Sequence, residues 1–235
     1  MSKEKPDLLS ILGSPIGKKI LTGITGLGLA FFVLVHMVGN LSFFSSDPNA
    51  YNVYSHTLIG LGPLLWVVEL GLLAFFVIHA VIGVNIARRK RKARPEGYAK
   101  YQTAGGPSRQ TLSSRTMIVT GLILFIFVII HVKSFKFGPD VDAGYVVTVG
   151  GEQIRDLKRL LIERFQSPIY TFGYVAVMLL LGFHLRHGIW SAMQSLGATN
   201  PRMTPLIYMV GGVLGVLIAI GFVVLPLWIF FSGGV

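Results

Sequence analysis

Four of the six histidines lie inside long apolar stretches of the chain, one in each of four consecutive stretches. They are His36, His79, His131 and His184. An ionisable side chain at membrane depth is rare and usually functional, because hydrocarbon disfavours charge. A single such histidine could simply bond a neighbouring helix, but four in succession indicate a common role. Ligation of a metal or a haem iron is the chemistry that such a set would support.

Five apolar stretches could position these side chains, since a bilayer core of about 30 Å needs roughly 20 helical residues. The predicted spans are residues 20–44, 63–87, 112–137, 168–192 and 204–231. Charged residues make up only 13% of the 235, which leaves too little polar sequence for a soluble domain. Helices must form the spans, because open strands would leave backbone groups unpaired in lipid. We therefore predict a single all-α domain, residues 1–235, built as an integral membrane bundle of five transmembrane helices. No internal repeat is evident.

Lys and Arg are distributed unevenly between the two predicted sides. A dense basic run, residues 88–94, follows the second span, and a cytoplasmic location for it assigns 15 Lys and Arg inside and 6 outside. The positive-inside rule favours that orientation. We expect a cytoplasmic N-terminus, an external C-terminus and a multi-pass location in a bacterial-type cytoplasmic membrane. The basic run abuts a span, so it is interpreted as a topology signal and no nucleic-acid partner is expected.

The helical rise puts the four histidines at two depths. His36 and His131 both lie roughly 25 Å from the inner boundary. His79 lies about 14 Å from that boundary and His184 about 24 Å from the outer one, which assigns both to the inner half. Two pairs at two depths fit two stacked b-type haems, each with one imidazole from each of two helices. Two zinc ions would require more ligands at each level.

Glycines follow three of these histidines by three or four residues on the same helical face: Gly39, Gly83 and Gly188. They would leave room for a planar macrocycle, although glycine is also common where membrane helices pack. His187 could replace His184 as a ligand, but it lies closer to water, so His184 is favoured. The chain has no cysteine, which excludes iron–sulfur ligation and covalent haem attachment on it.

Several charged residues near these levels are candidates for further roles. Glu69 lies near the outer level and could handle protons for a quinone or simply extend to the interface. His56 precedes the second span and could contact a quinone or a haem propionate, or be an ordinary surface residue. Arg186 could pair with a propionate of the inner haem, and Lys133 or Lys136 with one of the outer haem. Positive-inside charge or snorkelling explains these cations equally well.

The connection between the third and fourth spans is the one long external loop. Residues 145–149 are β-rich and precede Gly150 and Gly151, which predicts a short hairpin. Apolar residues then recur at helical spacing among charges over residues 154–165. That pattern predicts an amphipathic helix lying on the membrane surface.

The sequence around two of the histidines resembles a known family. The segments are His-Ala-Val-Ile-Gly-Val, from His79, and Phe-His-Leu-Arg-His-Gly-Ile-Trp-Ser-Ala-Met-Gln-Ser-Leu-Gly, which contains His184. They resemble the di-haem cytochrome b membrane subunit of succinate:quinone oxidoreductases, the succinate dehydrogenases and fumarate reductases with a single-chain anchor. The resemblance runs from Gly17 through the fifth span. It implies that His36, His131, His79 and His184 are the axial ligands, in agreement with the depths.

The resemblance also implies a function. The chain would carry electrons between a cytoplasmic iron–sulfur subunit and a quinone, menaquinone by family likeness, through two non-covalent haem b groups. A flavoprotein partner would handle the dicarboxylate, so the complex is an enzyme but this chain has no dicarboxylate site. Some family members have a proton-path glutamate where this chain has Gly182. Two alternatives stay open: the b-type anchor of a hydrogenase or formate dehydrogenase, and a proton or metal transporter with a histidine relay.

Overall fold

The computed structural model of the protein describes residues 7–93 and 112–234. Its helices are α1 (Leu8–Gly13), α2 (Pro15–Asn40), α3 (Ala50–Ile59), α4 (Pro63–Ala93), α5 (Leu112–His131), α6 (Leu157–Phe165), α7 (Pro168–Ser195) and α8 (Met203–Ser232). Two strands, β1 (Val146–Val149) and β2 (Glu152–Arg155), form an antiparallel hairpin. A π-helical turn, Val132–Lys136, extends α5, and short 3-10 turns cover Leu41–Phe44 and Val141–Ala143.

The five predicted spans are confirmed in the described part of the chain. Helices long and apolar enough to cross a membrane cover Pro15–Phe44, Pro63–Ala93, Thr116–Lys136, Pro168–Ser195 and Met203–Ser232. The all-α membrane bundle predicted from hydropathy is therefore the observed fold class.

Two helices extend beyond the predicted spans for identifiable reasons. α2 begins five residues early because the Ser14 hydroxyl accepts a hydrogen bond from the Gly17 amide (3.0 Å) and Pro15 occupies the first helical position. α4 continues through the first basic residues to Ala93, since Lys and Arg are good helix formers and suit a helix C-terminus.

Four of the membrane-length helices form a ring. α2 packs against α4 and α7, while α5 packs against α7 and, less extensively, against α4. The order around the ring is therefore α2, α4, α5, α7, so that α2 is diagonal to α5 and α4 is diagonal to α7. α8 lies outside the ring and packs along α7 and α2.

The two ends of the bundle differ in character. One end carries α3, the hairpin and α6, and is called the hairpin end. The opposite end carries α1 and the basic C-terminal turns of α4, and is called the basic end. Five of the 15 cations predicted for that side lie outside the described residues: Lys3, Lys5, Arg94, Lys100 and Arg109.

The hairpin end is folded as predicted in part. Gly150 and Gly151 both have positive φ (60° and 87°), as a two-residue hairpin turn requires. α6 is amphipathic, as predicted, and its location on the membrane surface stays a prediction. Its apolar residues pack into a cluster with the ends of the spans, because two residues join α6 directly to α7. The cluster comprises Phe43, Tyr51, Phe135, Leu160, Leu161, Phe165, Leu225 and Ile229.

Asn52 links α3 to the start of α6 at the hairpin end. It is buried, and its Nδ2 donates to Asp156 Oδ1 (2.9 Å) while its Oδ1 accepts from the Lys158 amide (2.8 Å). Asp156 also caps α6 by accepting from the Arg159 amide (3.0 Å). The hairpin end is thus a packed layer fixed to the ends of the membrane helices.

Candidate functional site

The four span histidines form two facing pairs. The ring centres of His36 and His131 are 5.8 Å apart with an interplanar angle of 82°, and this is called the hairpin-end pair. The ring centres of His79 and His184 are 6.4 Å apart at 69°, and this is called the basic-end pair. The pairs span the two diagonals of the ring and are the pairs expected from the depths. On α7 the ring facing His79 belongs to His184, the residue favoured over His187.

The pairs lie at two levels of the bundle, and two helices give the same separation. On α2, a Cβ at Gly26 would lie 3.0 Å from His79, and His36 follows ten residues later. On α7, Tyr174 contacts His131, and His184 follows ten residues later. At 1.5 Å per residue both intervals correspond to about 15 Å.

Hydrogen bonds set the tautomers of the basic-end pair. His79 Nδ1 lies 3.2 Å from the carbonyl oxygen of Thr22, and a carbonyl can only accept, so Nδ1 carries the proton. His184 Nδ1 lies 3.1 Å from Thr120 Oγ1, whose own hydrogen has two carbonyl acceptors within its helix, Thr116 and Met117 (both 3.1 Å), so the hydroxyl oxygen accepts from Nδ1. In both rings Nε2 is left with the lone pair that binds a metal. Second-sphere partners of this kind orient metal-binding histidines.

The hairpin-end pair has different partners. His131 Nδ1 lies 3.3 Å from the Tyr174 hydroxyl. Asn40 donates to the His36 carbonyl (2.8 Å), lies 3.4 Å from His36 Nε2, and accepts from the Tyr51 hydroxyl (3.2 Å). Tyr51 belongs to α3, so the orientation of His36 is tied to the layer at the hairpin end.

The same three residues, Thr-Gly-Leu, occur on α2 and α5 at the basic-end contacts. A Cβ on Gly26 would lie 3.0 Å from Cε1 of His79, and one on Gly121 would lie 3.5 Å from Cε1 of His184. Each glycine is preceded by a threonine, followed by a leucine, and lies ten residues before the histidine of its own helix. The pairs α2–α4 and α5–α7 are thus equivalent units, a correspondence that apolar periodicity does not reveal. Thr-Gly-Leu at a fixed distance from histidine is the signal that could have revealed these contacts.

Two of the three glycines expected to leave space do so. A Cβ on Gly83 or Gly188 would meet nothing within 4 Å, and each glycine lies one turn beyond a basic-end histidine. The expectation is wrong for Gly39, where a Cβ would overlap the Tyr54 ring. Glycine is required there for close contact between α2 and α3.

Glu69 is paired with a cation at the hairpin end. Its carboxylate accepts from the ammonium of Lys136, which also lies over the rings of Trp66 (5.6 Å) and Phe137 (5.7 Å). Lys136 is one of the two cations that the sequence offers as partners for a propionate of the outer haem. In the structure its ion-pair partner is Glu69.

The structure brings neither His56 nor Arg186 to a histidine pair. His56 lies on α3 with Nε2 3.5 Å from Glu152 Oε1, at the surface of the hairpin end. Arg186 is exposed and follows His184 by two residues, about 200° around the helix. Its backbone packs against Gly215 of α8. Their roles toward a quinone or a propionate stay predictions.

Comparison with protein-family models, with curated proteins and with solved structures gives no match.

The donor set of each pair is two imidazoles on opposite helices. Two metal–nitrogen bonds of about 2 Å, with about 1 Å from each nitrogen to its ring centre, separate ring centres by roughly 6 Å. The observed 5.8 and 6.4 Å match that spacing. The spacing of each pair is therefore compatible with a metal ion held between its two imidazoles, as bis-histidine haem ligation requires.

Proposed function

We propose that this chain is the di-haem membrane anchor and electron-transfer subunit of a succinate:quinone oxidoreductase. The observation that carries the proposal is the pairing of four histidines across both diagonals of one helix ring. His36 and His131 would hold one haem b as axial ligands, and His79 and His184 the other. The bound haems would supply reversible one-electron iron chemistry at two depths of the membrane.

The surrounding residues hold the imidazoles and keep water away from them. Phe32 stacks on His36 and Phe127 stacks on His131, with ring centres 5.5 and 5.6 Å apart. Between the two levels, Phe76 of α4 stacks on Phe125 of α5 (5.5 Å). Apolar walls of this kind lower the local dielectric and, with the Nδ1 partners, set the potential of a bound metal.

The proposed orientation puts the basic end in the cytoplasm, as the distribution of Lys and Arg favours. The iron–sulfur subunit would dock there and deliver electrons taken from succinate by the flavoprotein. The complex is then a succinate dehydrogenase or fumarate reductase, and this chain is its anchor without a dicarboxylate site. The proposed location is a bacterial-type cytoplasmic membrane.

A quinone, proposed to be menaquinone, would react near the hairpin end. Reduction of a quinone takes up protons, and Glu69 is a carboxylate near that depth with a cationic partner, Lys136. The indole of Trp66 adds an aromatic wall beside this ion pair. His56, with Glu152, is the second candidate proton carrier at this end.

Some members of the di-haem cytochrome b family build a proton path from a glutamate, and that path is not part of the proposal. The corresponding residue, Gly182, is buried against Gly215 of α8, on the side of α7 that contacts α8. A longer side chain has no room there. Proton transfer across the membrane coupled to electron transfer would therefore require other titratable side chains.

Purification of the intact complex tests this function. A tag at the C-terminus should co-purify a flavoprotein and an iron–sulfur protein, with two haem b per anchor chain, both reducible by succinate. Co-purification of a hydrogenase or formate dehydrogenase would support the alternative anchor. A chain that purifies folded without haem would favour a histidine-relay transporter.

A further inference from the structure

A half-buried arginine connects the hairpin to the end of α5. Arg155 is the last residue of β2. Its guanidinium donates to four backbone carbonyls, those of Phe135 (2.8 Å), Lys136 (3.4 Å), Gly138 (3.1 Å) and Pro139 (2.7 Å from Nη2 and 3.0 Å from Nε). Few side chains can satisfy so many acceptors, because only guanidinium has five donors in a planar fork.

These carbonyls belong to the π-helical turn and the residues just after it. The Phe137 amide donates to the Val132 carbonyl five residues back (3.1 Å), which widens the helix. π-helical turns are rare in proteins, and those that occur are often found at functional sites. Carbonyls at a helix end have no partner within the helix, and a cation is favourable there. Gly138 allows the chain to close, since a Cβ would overlap the Ser134 carbonyl.

The π-helical turn begins directly after His131 and orients three side chains around it. The Ser134 hydroxyl bonds the Tyr170 hydroxyl, Phe135 is buried in the hairpin-end cluster, and Lys136 reaches its carboxylate partner. A regular α-helical continuation would rotate these residues by roughly 100°, one residue of helix. The conformation of the turn therefore determines the position of the end of α5 and the orientation of His131.

We propose that Arg155 is a positioning residue for the hairpin-end pair: it holds the π-helical end of α5 and thereby fixes the orientation of His131 toward His36. The effect on a haem bound by His131 rests on the proposed function. The stabilisation of the end of α5 by Arg155 does not. Burial lowers the pKa of Arg155, and Asp140 opposes that change. A guanidinium nevertheless stays charged at neutral pH, so the contact persists across the physiological range.

The test compares three variants of the full complex in nanodiscs: Arg155→Gln, Arg155→Lys and Arg159→Gln. Arg159 is the matched control, because it lies in the same layer, carries the same charge and bonds exposed Glu163 (2.8 Å). Two readouts are taken, amide hydrogen exchange over residues 132–138 and the low-spin electron paramagnetic resonance signals of the two haems. The paramagnetic resonance signal depends on the angle between the planes of the two imidazoles. A change in overall stability leaves that angle, and so the signal, unchanged.

We expect Arg155→Gln to speed exchange over residues 132–138 by about 10-fold or more, with no change in α2, since four backbone carbonyls lose the side chain that bonds them. The signal of the hairpin-end haem should shift or be lost, while that of the basic-end haem stays. Arg155→Lys should behave like Arg155→Gln, because a point charge cannot bond four carbonyls. Arg159→Gln should leave both readouts unchanged.

Three results would overturn the proposal: full rescue by Arg155→Lys, an equal effect of Arg159→Gln, or an unchanged hairpin-end signal in Arg155→Gln. The first two would mean that only charge matters. The haem content of the unmodified complex is measured first. If that complex binds no haem, the proposed function fails, and the exchange readout still decides whether Arg155 holds α5.

Discussion

Gly182 of α7 and Gly215 of α8 are so close that neither position has room for a Cβ. A Cβ on Gly182 would lie 2.9 Å from the Gly215 carbonyl oxygen, and one on Gly215 would lie 2.8 Å from the Gly182 carbonyl oxygen. Small residues allow such close contact between membrane helices. This contact joins α8, which has no histidine, to the ring that carries the four histidines.

Gly182→Ala should therefore destabilise the bundle by about 1–3 kcal/mol, because the added methyl meets backbone that must shift. The expected result is a lower midpoint of thermal unfolding for the purified complex. Gly173→Ala is the control, since a Cβ on Gly173 of the same helix would meet nothing within 4 Å. Equal midpoints for the two variants would contradict this account of the α7–α8 contact.

The Nδ1 partners of the basic-end pair predict unequal effects of two threonine variants. In Thr120→Val, His184 loses the oxygen that accepts from its Nδ1, so the ligand is less basic. The potential of the basic-end haem should rise by a shift on the order of 1 kcal/mol, about 40 mV for one electron. Thr25 Oγ1 lies 3.4 Å from His79 Nδ1, but in Thr25→Val the shift should be smaller, because His79 keeps the Thr22 carbonyl. Redox titration of both variants tests this, and equal shifts would refute the assignment of partners.

Topology can be tested cleanly because the chain has no cysteine. Thr148→Cys at the exposed hairpin should react with an impermeant maleimide on intact cells, and Ala93→Cys only after permeabilisation. Reporters at Gly144 and at Gly97, the latter outside the described residues, should be external and cytoplasmic respectively. The reverse pattern would invert the two haem levels and the docking side.

The basic end should dock the soluble subunits. Neutralising Arg91, Lys92 and Arg94 with glutamine should weaken assembly roughly 10–100-fold, if each exposed pair contributes up to about 1 kcal/mol. Arg94 lies outside the described residues. Lys133→Gln, at the hairpin end, should leave assembly intact. Pull-down of the iron–sulfur subunit measures both, and crosslinks from that subunit only to the hairpin would show the docking side to be wrong.

Hydropathy and helical rise predict the spans and the two histidine pairs, because both depend only on distance along a helix. The partners of the rings could not be predicted in this way. Whether Thr120 or Tyr174 contacts a histidine depends on which helices are neighbours and how each is rotated about its axis. The sequence also gives no local signal for the π-helical turn after His131, since Arg155, which bonds its carbonyls, lies about 20 residues further along the chain. Packing of α6 on the bundle likewise depends on tertiary contacts.

The proposed function requires two haems, one held by His36 with His131 and the other, at a second level, by His79 with His184. Its most direct test is the haem content and low-spin spectrum of the four single His→Ala complexes, with subunit stoichiometry measured alongside. Each variant should lose one haem, the same one for His36 and His131 and the other for His79 and His184. His187→Ala should keep both. If His36→Ala and His184→Ala removed the same haem and left the other intact, the pairing would be contradicted.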